Sequence, residues 1–220
     1  MLSEARREQI LTIAQSPVRI PSLAGEEGAV IEQTAHWMRE LGCDDVQMDA
    51  CGNLIGTLRG GQGATVIYDS HVDTVAASDL SARRRDPFGG VVADGKLRGR
   101  EACDVKGSLS AALAAADPTF CAEASIDIGA FTCYAGMPLR GKKFQAARQN
   151  DSAHPMEQAA EIGRYNFCAN GSHAASVGLL AIGYGAGSER AARITDEYLA
   201  LDQPFGAAEG YCALGASFAT

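Results

Sequence analysis

The chain has 220 residues, 46% of them hydrophobic, and carries a formal net charge of −8 with an isoelectric point near 5.0. Its one basic cluster, Arg83 to Arg85, is followed directly by Asp86, which argues against a nucleic-acid-binding protein because phosphate contacts need clustered cations. The seven cysteines form no C-x-x-C pair, and no run approaches the roughly 18 apolar residues of a membrane span. We therefore expect a soluble, cytoplasmic protein with reduced thiols and no nucleic-acid or membrane partner.

Two helices are predicted at the start of the chain. Residues 3–17 have apolar positions at helical spacing, and Pro17 is expected to end that helix. Residues 25–42 combine acidic residues in the first turn, an apolar stripe and a glycine, Gly42, as the C-terminal cap.

Strand-like runs follow the helices. Residues 45–60 contain turn residues Gly52 and Asn53, and residues 64–75 form a short apolar run of the kind that lies buried inside a sheet. Asp94 and Gly95 predict a hairpin turn, and residues 108–116 read as a helix. This alternation predicts an α/β fold with a mainly parallel or mixed central sheet flanked by helices, in a single compact domain.

The remainder of the chain is less regular. Residues 116–125 look like a junction and 125–136 like a strand, while Pro155 suits the first turn of a short helix within 152–163. Residues 177–187 have a buried-strand pattern that runs into a glycine-rich loop, and a helix is predicted from Ser188 to Leu201. The glycine loop lacks the third glycine of a dinucleotide-binding fingerprint, so nucleotide binding is not expected.

The residues that could carry chemistry are His71, Asp73 and Asp104. His71 and Asp73 are two positions apart, so on an extended strand they face the same side, at the carboxyl end where α/β sheets place ligands. Asp104 lies in a glycine-rich loop just before a helix, where a carboxylate can bind a divalent ion. Two plainer interpretations stay open: polar residues where a strand meets its loop, and an aspartate that caps the helix.

Two motifs in series, "HVDTV" at 71–75 and "DPFGGVVADGKLRGREACDVKGSLSAAL" at 86–113, resemble the zinc-dependent metallopeptidase and deacylase family. That family includes aminoacylase, acetylornithine deacetylase and succinyl-diaminopimelate desuccinylase. The segment 165–202 resembles the closing part of these enzymes, most closely in the branch of selenium-metabolism-linked hydrolases. The resemblance implies a metal-dependent hydrolase of amide bonds in small N-acyl amino acids or dipeptides.

The resemblance also implies roles for individual residues. His71 would be a zinc ligand, Asp104 the carboxylate that bridges two zinc ions, and Asp73 a catalytic-site residue that orients His71 or acts on metal-bound water. One or two zinc ions would be the cofactor, and a small N-acyl amino acid or peptide the partner. In the family a glutamate serves as general base for attack on the amide carbonyl.

The sequence departs from the family at several positions. The adjacent Glu-Glu pair is absent between Ala116 and Phe144, and Arg193 stands where a histidine ligand is expected. A lid domain and its adjoining strands are missing, with the expected point of deletion near residues 117–124. Other residues that could replace the missing ligands are Asp69, Glu101, Asp117, His154 and His173. These departures leave two alternatives to the hydrolase: a catalytically inactive relative with a degraded metal site, and a small-molecule binding protein.

Overall fold

The computed structural model describes residues 2–59, 65–77, 83–123, 131–136, 174, 176–179, 181, 183–188 and 190–218. The chain divides into two compact units, Met1–Met137 with Gly185–Thr220, and Pro138–Tyr184. The predicted site residues that the structure describes all belong to the first unit. The prediction of one domain over 1–220, with a deletion near 117–124, stays a prediction.

Both N-terminal helices form as predicted. Helix α1 spans Glu4–Val18 and begins at Ser3, whose hydroxyl oxygen accepts a hydrogen bond from the Arg6 N–H at 3.3 Å. Helix α2 spans Gly28–Glu40 and is followed by Gly42 at φ +89°, the left-handed conformation that glycine adopts after a helix. Both helices bury one face, because their apolar residues recur at helical spacing.

A mixed sheet of four strands follows, with strands β1 (Asp45–Met48), β2 (Leu54–Leu58), β3 (Val66–His71) and β6 (Phe131–Gly136) in the order β1-β2-β6-β3. Strand β2 pairs antiparallel with β1 and β6, whereas β3 runs parallel to β6. The expected burial of β3 holds for one face only, since Tyr68 is buried while Ile67 on the other face is 55% exposed.

A smaller antiparallel sheet joins distant parts of the first unit. Strands β4 (Val91–Ala93) and β5 (Lys96–Arg98) form the predicted hairpin, with Asp94 and Gly95 at φ +54° and +68° in its turn. Strand β7 (Tyr198–Ala200) pairs with the other edge of β5. Through this pairing, residues near 197 are held beside residues near 100.

The centre of the first unit is helix α3 (Gly107–Ala115), every residue of which is buried. It follows a short π-helical turn at Ala102–Lys106 and packs against α1 and the C-terminal helix α5 (Asp202–Phe218). Its sequence of small and apolar residues has no polar face, as expected of a helix surrounded by other elements.

Three predictions for the later chain are wrong at the described residues. The junction at 116–125 contains a short helix, α4 (Pro118–Glu123). Val177 and Gly178 lie in a turn and not in a buried strand, and Val177 is exposed. The helix predicted from Ser188 to Leu201 is replaced by turns and by β7, because Arg193 and Asp196 adopt left-handed backbone conformations (φ +62° and +54°) that interrupt a helix. The helix predicted within 152–163 lies outside the described residues.

The α/β class with a mixed sheet flanked by helices is confirmed. Among the helices that the structure describes, none has the length and apolar character needed to cross a bilayer.

Candidate functional site

His71 is the last residue of β3, and the segment after it is fixed to the loop between α1 and α2. The Ser22 hydroxyl donates to the Val72 carbonyl at 2.7 Å, and the Thr74 N–H donates to the Ser22 carbonyl at 2.6 Å. Val72 and Thr74 are buried, so Asp73 between them has a defined position next to His71. The alternation of the extended backbone thus turns the side chains of His71 and Asp73 to one side.

Asp104 is presented by the turn that precedes α3. Its backbone is non-helical (φ −129°, ψ 76°), which bends the chain between β5 and the helix. No side chain caps the N-terminus of α3, so the alternative interpretation of Asp104 as a helix cap is wrong. Two residues later Lys106 is buried, and its ammonium donates to the carbonyls of Pro17 and Ile20 at 2.8 and 2.9 Å.

These elements bring the three predicted site residues together. Nδ1 of His71 lies 3.1 Å from Oδ1 of Asp73, and Nε2 of His71 lies 3.5 Å from Oδ1 of Asp104. The imidazole therefore stands between two carboxylates. Nδ1 of His71 and Oδ1 of Asp73 are buried and not aligned as a hydrogen bond, so their interaction is one of charge.

The pKa values of the three groups follow from this arrangement. Burial lowers the pKa of His71, but the carboxylates of Asp104 and Asp73 outweigh it and raise that pKa to about 10. Contact with His71 lowers the pKa of Asp73 and of Asp104, against burial, which raises both. In the protein without metal, an imidazolium thus lies between two carboxylates at neutral pH.

Arg193 contributes a second cation to the site. Its guanidinium Nε donates to Oδ2 of Asp104 at 2.9 Å, on the carboxylate oxygen that does not face His71. The Arg193 side chain is 57% exposed, whereas that of Asp104 is mostly covered. Arg193 thus occupies the position at which the family resemblance implies a histidine ligand. Its guanidinium contacts Asp104, the carboxylate for which the resemblance implies a bridging role.

Next to Asp104 lies a network of charged residues, of which the sequence singled out only Glu101. Glu197 is buried, and its carboxylate accepts hydrogen bonds from the N–H groups of Cys103 (3.0 Å) and Arg193 (3.2 Å). The Arg100 guanidinium lies 3.5 Å from both Glu101 and Glu197. Burial raises the pKa of Glu197, and burial with the nearby Glu197 and Asp104 charges raises that of Glu101 to about 7.

The other candidate ligands are placed differently. Asp69 is exposed, on the same face of β3 as His71 but two residues earlier. Glu101 is buried against Arg100 and the Val75 N–H. Asp117 lies at the far end of α3, where it pairs with Arg6 at 2.6 Å and accepts from the Thr119 N–H, so it is not part of this site. His154 and His173 lie outside the described residues.

The side chains that the structure describes do not by themselves fit a catalytic zinc ion. Such an ion takes three protein ligands and one open position. Here only His71 and Asp104 face a common point, since Asp73 lies on the opposite nitrogen of the ring and Arg193 covers the second oxygen of Asp104. No group of three or more His, Cys, Asp or Glu side chains among the described residues is arranged to hold a metal ion.

Comparison with known proteins gives partial matches. No family model matches the chain. Succinyl-diaminopimelate desuccinylase of Cereibacter sphaeroides (strain ATCC 17029 / ATH 2.4.9) is 39% identical over 102 residues, which covers 45% of this chain and 27% of that protein. The enzyme of the same name from Methylobacterium nodulans is 36% identical over 131 residues, covering 54% of this chain and 31% of the relative. The chain thus spans less than a third of the length of these relatives.

A solved structure supports the fold. The dipeptidase Dug1p of Saccharomyces cerevisiae superposes with a TM-score of 0.52 at 16% identity, covering 61% of this chain and 33% of that one. Together with the sequence matches, this confirms the resemblance read from the two N-terminal motifs. Over the part that these matches cover, the chain is similar to succinyl-diaminopimelate desuccinylases, which belong to the metallopeptidase and deacylase family that its motifs resemble.

Proposed function

We propose that this chain is a metal-dependent hydrolase of amide bonds in small N-acyl amino acids or dipeptides. The observation that carries the proposal is the convergence of His71, Asp73 and Asp104 at the carboxyl end of β3. The desuccinylase and dipeptidase names of its relatives support the substrate class. As the described residues offer two converging donors, the proposal requires at least one further ligand from residues outside them.

Each residue has a distinct role in this proposal. His71 and Asp104 would hold the metal through Nε2 and a carboxylate oxygen, a donor pair that suits zinc. Asp73 would hold the ring through Nδ1, which keeps Nε2 directed at Asp104. Bound metal would supply polarisation of the amide carbonyl and an activated water.

Zinc titration of the chelator-treated protein by calorimetry, with His71→Ala beside the wild type, tests the ligand pair. Binding of one or two equivalents that is lost in His71→Ala supports the proposal. Release of free amine from N-succinyl and N-acetyl amino acids and from dipeptides then tests turnover at saturating zinc. Asp73→Asn should lower metal affinity or turnover about 10- to 100-fold while preserving the shape of the side chain.

A second candidate, a non-hydrolytic relative, is favoured by one observation. The Arg193 guanidinium pairs with Asp104 at 2.9 Å, so the carboxylate already has a cationic partner. Such a protein would bind a small molecule without chemistry, or would have lost its activity. Absence of zinc-dependent amine release from all three substrate classes, at zinc concentrations that saturate the calorimetric site, would favour this candidate over the hydrolase.

A further inference from the structure

We infer that Arg193 is a built-in counter-ion of Asp104, held in place by Glu197, and that metal binding at Asp104 requires its displacement. The inference rests on the proposed function only in taking His71 and Asp104 as the metal-binding pair. It adds a regulatory element to that site: the affinity for metal is set by a cation that belongs to the chain itself.

The contact between Arg193 and Asp104 is direct. Nε of Arg193 donates to Oδ2 of Asp104 at 2.9 Å, within the range of charge-assisted hydrogen bonds. A guanidinium keeps its proton at any pH in which a protein is folded, so this positive charge is permanent. The opposite oxygen, Oδ1, faces Nε2 of His71 at 3.5 Å. Both oxygens of the carboxylate thus have basic neighbours.

The position of Arg193 is set by a buried carboxylate. Glu197 is 1% exposed, and one of its oxygens accepts from the Cys103 N–H, next to Asp104, at 3.0 Å. Its other oxygen accepts from the Arg193 N–H at 3.2 Å. The Glu197 side chain therefore binds both the turn that carries Asp104 and the turn that carries Arg193, and it fixes the separation between these turns.

Glu197 is itself held by the smaller sheet. Its carbonyl accepts from the Gly99 N–H at 3.1 Å, and its carboxylate lies 3.5 Å from the Arg100 guanidinium. The next residue starts β7, which pairs with β5. The turn that carries Arg193 is thus anchored to the strand that leads to Asp104, so the contact is part of the fold and does not depend on a flexible side chain alone.

The charge of Arg193 has a direct consequence for a metal ion at Asp104. A divalent cation on this carboxylate would lie within ångströms of the guanidinium, and like charges at such separations repel strongly in a partly buried site. The Arg193 side chain is 57% exposed, so it can rotate into water when a metal binds. The cost of breaking the ion pair and of this rearrangement lowers the affinity for metal.

The experiment is a zinc titration by calorimetry of the full chain after chelator treatment, comparing wild type with Arg193→Gln and Arg193→Lys. Arg193→Gln removes the charge and keeps much of the length, so it should bind zinc at least tenfold more tightly than wild type. Arg193→Lys keeps the charge and should stay within about threefold of wild type. Adding His71→Ala to Arg193→Gln should abolish the gain, which shows that the added affinity belongs to this site. Equal affinity of wild type and Arg193→Gln would overturn the inference.

The role of Glu197 is tested by a double-mutant cycle. Glu197→Gln should tighten zinc binding in the wild-type background, because the turn that carries Arg193 is released, but should have less than a threefold effect in Arg193→Gln. An equal effect in both backgrounds would overturn the positioning role. Circular dichroism of each variant shows whether the fold is retained. Failure of the proposed function is read separately, since it is the absence of amine release at saturating zinc, whatever the Arg193 variants show.

Discussion

Replacing Lys106 with methionine tests how the turn that carries Asp104 is fixed to the N-terminal helix. Lys106 is 1% exposed, and its ammonium donates to the carbonyls of Pro17 and Ile20 at 2.8 and 2.9 Å. Pro17 lies in the last turn of α1, where its carbonyl also accepts from the Ile20 N–H at 3.2 Å, and Ile20 follows the helix. Lys106→Met keeps the length and the apolar stem, so the change isolates the ammonium.

The expected loss of stability is the difference between two opposing effects. Two hydrogen bonds from a charged donor contribute about 3–6 kcal/mol in total. Burial, only partly opposed by the acids Glu101, Asp73 and Glu197, lowers the pKa of Lys106 from 10.5 to about 8. That shift corresponds to about 3 kcal/mol of unfavourable free energy for the charged form in the folded state. Lys106→Met should therefore lower the free energy of unfolding by up to about 3 kcal/mol at pH 7.

The loss of stability in Lys106→Met should also depend on pH. Between pH 8 and 10.5 the unfolded chain keeps the Lys106 proton while the folded chain loses it, so the contribution of Lys106 to stability rises with pH. The neutral amine still donates to both carbonyls. The deficit of Lys106→Met relative to wild type should therefore grow by up to about 1.4 kcal/mol per pH unit in this window.

Urea unfolding followed by the fluorescence of Trp37, the single tryptophan, measures the effect. Trp37 donates to the Ser16 hydroxyl at 2.7 Å and so reports on the packing of α1 against α2. Lys96→Met is the matched control: its ammonium lies 4.0 Å from the centre of the Tyr198 ring, and its loss should cost no more than about 1 kcal/mol. A Lys106→Met deficit that stays constant from pH 8 to 10 would refute the reasoning.

Two further changes test the packing around the site. Hydrogen bonds, including the one from Arg6, outweigh burial and lower the pKa of Asp117, so its contribution to stability is present above pH 3.8 and lost as pH falls through the lower folded-state pKa. Acid titration should accordingly show Asp117→Asn about 1 kcal/mol less stable than wild type at pH 6, with the difference vanishing towards pH 2. Gly107→Ala would place a Cβ 2.3 Å from Leu199, so thermal unfolding should reveal a loss of about 1–3 kcal/mol. Gly28→Ala, whose Cβ would meet nothing within 4 Å, should be neutral or stabilising.

The elements that were correctly predicted are those encoded by local signals. The hairpin at Asp94 and Gly95 needs left-handed conformations that these residues adopt readily, and the structure has them there. The helix expected from Ser188 to Leu201 was wrong because its helix-forming residues are overridden by the pairing of β7 with β5, about 100 positions away. Local propensity contains no information about such a partner.

Among the site residues, too, those with local signals were predicted and one that depends on distant contacts was not. His71 and Asp73 were identified from their spacing along one strand, and their proximity to Asp104 follows from motifs recognised in series. Glu197 was missed, because its role is to accept two backbone N–H groups from turns that are distant in sequence. A glutamate among polar residues gives no sign of being buried until the fold brings these donors to it.

A histidine and an arginine at position 193 have opposite effects on the metal-free site. The arginine places a permanent positive charge beside the Asp104 carboxylate. A neutral histidine would leave this carboxylate without its closest cation, and it would offer a third ligand beside the proposed pair of His71 and Asp104. Arg193→His should therefore be less stable than wild type in chelator and gain stability with zinc, by about 2.7 kcal/mol when free zinc is a hundredfold above its dissociation constant. Wild type should gain much less at the same zinc concentration. Urea midpoints measured with chelator and with zinc test this, and equal zinc-induced shifts for the two proteins would contradict the role of Arg193 as a substitute for the metal.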